Sequence, residues 1–113
     1  SLGCILTAWW AAHSQHTGKV RGALLVAPGD VERAELAAQL PGWAPIASQA
    51  LPFPAVLVAS RNDPHCRFGR AAQMAQAWGA RMVDCGECGH INAESGLGDW
   101  PEGQALLHTL MKD

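Results

Sequence analysis

Pro54-Ala-Val-Leu-Val-Ala-Ser60, followed at once by Arg61-Asn-Asp-Pro64, is the stretch that decides the fold. It is an unbroken apolar run of strand length, rich in β-branched valine, and closed by a turn sequence. A strand with one wet face alternates apolar and polar residues. An unbroken run instead marks a strand covered on both faces, as in a parallel sheet with helices above and below. Upstream, Gly22-Ala-Leu-Leu-Val-Ala27 repeats the pattern and ends at Pro28-Gly29. Downstream, Arg81-Met-Val-Asp84 is a third short strand.

Helix-period segments separate these runs. Leu2 to about Gln15 reads as a first helix. Asp30 stands where an N-cap would, opening a second through about Leu40, and Pro41-Gly42 stops it. Phe68, Ala71, Ala72, Ala75 and Trp78 fall at helical spacing, with Gly79 as the cap. Pro101 suits the first turn of a last helix, with Ala105, Leu106, Leu110 and Met111 facing inward. The expected fold class is therefore α/β, with three parallel strands and four helices in one domain over residues 1–113. Three strands make a small sheet whose middle strand carries most of the pairing. Either a second copy or a missing N-terminal half is expected to complete it.

Composition narrows the function classes. The 113 residues carry 8 Lys and Arg against 10 Asp and Glu, a net charge of −2, so neither a nucleic-acid surface nor a polybasic membrane patch is expected. Apolar residues make up 49% and charged ones 16%, which is ample surface to bury and excludes disorder as the main description. Gly22–Pro28, Pro54–Ala59 and Cys4–Ala12 are all shorter than the roughly 20 residues that a membrane-spanning helix needs. The four cysteines (Cys4, Cys66, Cys85, Cys88) are too few for a disulfide scaffold, so free thiols in a cytoplasmic protein are expected.

The chemistry sits at strand ends. Asp63 follows the Pro54–Ser60 strand, and His90 follows Arg81–Asp84 within Cys88-Gly-His-Ile-Asn92. The carboxyl edge of a parallel sheet is where open α/β folds place their sites. Ser1-Leu2-Gly3, leading into an apolar helix, matches the second half of a G-x-S-x-G nucleophile elbow. Ser, Asp and His in that chain order are the triad order of α/β-hydrolases. In these roles Ser1 is the nucleophile, His90 takes its proton, Asp63 holds the imidazole tautomer, and the Leu2 amide helps to hold the oxyanion. Asp30 is the rival acid, with a helix-capping role as the better explanation for it. Trp43, Phe53 and Trp100 are candidate walls of an apolar acyl pocket, although core packing explains them equally well.

Gly89-His-Ile-Asn-Ala-Glu-Ser-Gly-Leu-Gly-Asp-Trp-Pro-Glu-Gly103 resembles the C-terminal signature of small serine hydrolases related to retinoblastoma-binding protein nine. The Ser60–Pro64 stretch, Leu51-Pro-Phe-Pro54, Trp78-Gly79-Ala80 and Ser1-Leu2-Gly3-Cys4 resemble that family as well. The resemblance implies the C-terminal portion of an α/β-hydrolase fold without a large lid. It also implies nucleophile Ser1, acid Asp63 and base His90, and no cofactor or metal. The bond expected to be cleaved stays open among ester, amide and peptide, in a small-molecule or peptide substrate. It further implies that N-terminal strands precede the nucleophile, at least roughly 60 residues at about 30 per βαβ unit. A chain cut at the nucleophile is expected to be inactive alone.

Other constellations compete. Cys85-Gly-Glu-Cys88 resembles a redox C-x-x-C, but Gly89, Gly96 and Gly98 break the helix that should follow. Cys66, Cys85, Cys88 and His90 make a weaker zinc quartet, and loop cysteines filling apolar space are the simpler explanation. His13 and His16 at i, i+3 suit a solvated helix face, and His65 is a rival base. Trp9 and Trp10 are adjacent on one helix and cannot both face one core. That observation supports the alternative function, a non-catalytic interaction module that keeps the hydrolase fold. An N-terminal-nucleophile hydrolase ranks lower, because Ser1 leads into a helix rather than a strand.

Overall fold

A computed structural model describes residues 2–92 and 95–111, the side chain of Met111 excepted. Its elements run α1 (Leu2–His13), β1 (Ala23–Val26), α2 (Ala34–Gln39), β2 (Ala55–Ala59), α3 (Phe68–Trp78), β3 (Arg81–Asp84) and α4 (Pro101–Met111), with one 3₁₀ turn at Thr17–Lys19. The strands form a parallel sheet in the order β1-β2-β3. In its register, central Val58 lies between Val26 and Val83. All five β2 residues are buried, as the unbroken apolar run requires, whereas β3 is exposed at both ends.

Side chains alternate across β2 and so feed two cores. Leu57, with Leu25, Ala55 and Ala59, joins Cys4, Ile5 and Ala8 of α1 and Ala71, Met74, Ala75 and Trp78 of α3. Val58 and Val83 share a cavity with Leu97, Trp100 and Leu106, where α4 packs against β1 and β2. Helices thus cover both faces, and no helix among the described residues is long and apolar enough to cross a membrane. The architecture fits a partial α/β-hydrolase fold.

Local departures from expectation have physical causes. The second helix starts at Ala34, not at Asp30. Asp30 instead accepts the Glu32 amide in an Asx turn and faces Arg70 Nε at 3.7 Å, so its carboxylate neutralises a charge rather than capping a helix. In α4, Ala105 is exposed, while Gly103 is buried and Leu106 and Leu110 are half-buried. Leu106 and Leu110 thus face inward as expected and Ala105 does not, the side chain of Met111 lies outside the described residues, and the Trp100 ring lies against Gly103. A Cβ at Gly103 would run into that ring. Trp100 already holds a left-handed φ of 49°, so it has little freedom to retreat. Gly103→Ala should therefore destabilise the protein by about 1–3 kcal/mol, the usual cost of overpacking, read as a lowered denaturation midpoint.

Candidate active site

Two loops leave the carboxyl edge of the sheet side by side and are fastened rung by rung. Arg61 N–H donates to the Gly86 carbonyl at 2.7 Å, and the Arg61 guanidinium grips Asp84 at 2.7–2.8 Å. That guanidinium, with the Gly86 amide, holds the exposed Asp84 carboxyl below its ordinary value. Ser60 Oγ accepts the Cys88 amide at 2.9 Å, and Asn62 Oδ1 accepts the Gly89 amide at 2.7 Å. The final rung is Asp63 with His90.

His90 Nδ1 lies 3.0 and 2.9 Å from the two Asp63 carboxylate oxygens. The Asp63 side chain is 3% exposed and that of His90 is 14%, so the pair is shielded from competing water. With a carboxylate facing Nδ1, the proton belongs on Nδ1, which leaves Nε2 as the free base nitrogen. Asp63 also accepts the His65 amide at 2.9 Å, which fixes the carboxylate plane. Ile91, directly after His90, holds a φ of 52°. A β-branched residue there costs on the order of 1–3 kcal/mol, and such strain collects at functional sites.

The structure brings together two of the residues assigned from sequence, Asp63 and His90. Ser1 lies outside the described residues. Leu2 opens α1, and its side chain lines a cavity of about 210 Å³ with Gly29, Leu36, Leu40, His65 and His90. Trp43 and Trp100 line different cavities, one against α1 and one against α4, while Phe53 is buried. Sequence reasoning missed Leu36 and Leu40. Their only signal was position, on and at the end of the helix after β1, a strand whose end lies on the same edge of the sheet as Asp63.

The rivals are otherwise engaged. Asp30 meets Arg70, and its amide donates to the His65 carbonyl. The His65 ring packs edge-on against His90 with centroids 4.6 Å apart, and its backbone amide donates to the acid. His13 stacks on Trp9. Cys85 and Cys88 form a disulfide, a correction to the expectation of free thiols throughout. Gly86 at φ 78° turns the chain so that the two Cα atoms stand 6.1 Å apart, within bridging range. Cys4 and Cys66 are buried, the Cys4 thiol donating to the Val26 carbonyl, and burial, reinforced by the Asp30 and Asp63 charges, pushes the Cys66 thiol up to about 12. Among the described residues no cluster of His, Cys, Asp and Glu has the geometry to hold a metal.

Comparison with known proteins gives two matches. A family model described as serine hydrolase matches residues 1–109. The crystal structure of a YdeN-like hydrolase from Pectobacterium atrosepticum superposes with a TM-score of 0.79 at 36% identity, covering 96% of this chain and 54% of that one. The chain thus spans about half the length of that neighbour. No curated protein matches it.

Proposed function

Because this chain belongs to the serine hydrolase family, we propose that it supplies the Ser-His-Asp machinery of an acyl-transfer hydrolase. The supporting observation is the shielded His90–Asp63 pair at the ends of adjacent parallel strands. Residues 1–113 are then the C-terminal part of one hydrolase domain, akin to the small hydrolases related to retinoblastoma-binding protein nine.

In the proposed mechanism, Nε2 of His90 accepts the Ser1 hydroxyl proton as Oγ attacks the carbonyl carbon of the substrate. Asp63 stabilises the imidazolium that results. The Leu2 amide, at the first turn of α1, donates to the oxyanion, aided by the positive end of the helix. Collapse of the tetrahedral intermediate passes the Nε2 proton to the leaving alkoxide or amine. Water then repeats the cycle on the acyl-enzyme. The cavity beside His90 is walled by Leu2, Leu36 and Leu40 and suits a short apolar acyl group of an ester, amide or peptide.

In the intact hydrolase, with the strands expected before Ser1, a fluorophosphonate probe, which phosphonylates an activated serine, should label Ser1, mapped by peptide mass spectrometry. Absence of labelling, or labelling that survives Ser1→Ala, overturns the proposal. A second reading, a non-catalytic interaction module, is supported by Leu6 and Trp9, which are 55% and 53% exposed on α1 and line a cavity of about 280 Å³ with Trp43. That reading expects no labelling.

A further inference from the structure

We infer that Ser60 and Asn62 act as positioning residues for His90, a role that rests on the hydrolase reading above. Along Ser60-Arg-Asn-Asp63, residues 60, 62 and 63 meet residues 88, 89 and 90 respectively. The acid is therefore the last member of a bracket that grips the histidine loop in register. Ser60 is 1% exposed, and its hydroxyl accepts the Cys88 amide while donating to Asn62 Oδ1 at 2.9 Å. Asn62 Oδ1 then accepts a second hydrogen bond, from the Gly89 amide at 2.7 Å. An amide N–H only donates, so this network fixes which end of the Asn62 side chain faces the loop.

Two consecutive amides, those of Cys88 and Gly89, are thus tied down immediately before His90. The loop needs such a tie, because its internal bonds, the Cys85–Cys88 disulfide and the Ile91 amide on the Cys88 carbonyl, join it only to itself. Gly86 and Gly89 sit at φ 78° and 61°, and strained Ile91 follows the histidine. Without the bracket, the ladder beyond the Arg61 rungs would join the histidine loop to the end of β2 only through the Asp63 contact itself. A displacement of about 1 Å in a catalytic group can cost on the order of 10²-fold in rate.

The test compares wild type, Asn62→Leu, Asn62→Asp and Ser60→Ala, each in the intact hydrolase with the strands expected before Ser1. The readouts are hydrolysis of a short p-nitrophenyl ester and the far-downfield proton resonance of a histidine Nδ1–H shared with a carboxylate. Asn62 is exposed, so leucine there leaves the core untouched, and denaturation midpoints verify folding. Asn62→Leu should lower kcat by about 10–100-fold with KM nearly unchanged, and should weaken or abolish the resonance. Asn62→Asp keeps an acceptor oxygen in place and should restore most of both. Ser60→Ala, which strands the Cys88 amide, should act in the same direction as Asn62→Leu. Folded Asn62→Leu protein with wild-type kcat and an intact resonance overturns the inference while leaving the hydrolase reading standing. A wild type that shows the resonance and loses it in Asn62→Leu, yet neither turns over ester nor labels with fluorophosphonate, supports the bracket and overturns the hydrolase reading instead.

Discussion

Asp63→Asn should reduce kcat by about 10⁴-fold while barely moving KM, a loss of about 5.5 kcal/mol in transition-state stabilisation. The side chains are the same size and the site is nearly closed to solvent, so the variant should fold and bind as before. The failure is one of proton placement. Asp63 presents acceptor oxygens at 2.9 and 3.0 Å to His90 Nδ1, which must therefore carry the proton. In the variant the carbonyl of the new carboxamide is drawn to the His65 amide, which already bonds Oδ1 of the acid. The carboxamide nitrogen then faces the imidazole as a donor, Nδ1 becomes the acceptor, and the proton moves to Nε2, where the serine needs a base. Asp30→Asn is the control. Its carboxylate faces Arg70 and an Asx turn rather than any imidazole, so its cost should fall on stability and leave kcat within a few-fold. Steady-state ester hydrolysis on both variants of the intact hydrolase decides the matter, and an Asp63→Asn enzyme within tenfold of an active wild type would sink the triad assignment.

The fold is legible where one physical signal dominates. Val56, Leu57 and Val58 form an uninterrupted apolar run because helices cover both faces of β2, and strand burial follows the sequence directly. Gly79 is equally clear as a cap, since the left-handed φ of 68° that ends α3 suits glycine above other residues. Asp63 and His90 can be paired before any geometry is known because parallel strands carry both to one edge. What cannot be read are the choices made by distant partners. Asp30 has the sequence context of a cap, and only Arg70, far along the chain, draws its carboxylate elsewhere. The Cys85–Cys88 bridge is hidden because C-x-x-C signals redox chemistry through the helix that follows it, whereas here a glycine turn closes it. Leu36 and Leu40 carry no chemical signature, and only the cavity beside His90 marks them.

Trp78→Ala should be the most destabilising single change in the core, at about 3–5 kcal/mol from lost packing alone. Trp78 is 1% exposed and sits where α3, α1 and the sheet share one cluster. It also holds the long connector between α2 and β2 from two sides. Its indole N–H donates to the Ala47 carbonyl at 2.7 Å, and its own carbonyl accepts the Leu51 amide at 2.9 Å. Alanine keeps the second bond and loses the first, leaving a part-buried carbonyl to find water at a further cost of about 1–3 kcal/mol. For a domain of ordinary stability, about 5–15 kcal/mol, that sum is enough to leave a large unfolded fraction. Trp78→Phe separates the two contributions, because it retains most of the apolar contact and deletes only the donor. It should cost about 1–3 kcal/mol, measured as a shift in the urea midpoint at unchanged slope. The folded fraction of Trp78→Phe should still react with fluorophosphonate at the wild-type rate. The connector's other tie, the Ile46 amide on Glu32 at 2.8 Å, remains, and the Ser60–Asp63 rungs reach His90 without passing through Trp78. A Trp78→Phe protein that keeps its midpoint but loses labelling would mean instead that the connector, not the paired strand ends, sets the geometry of the base.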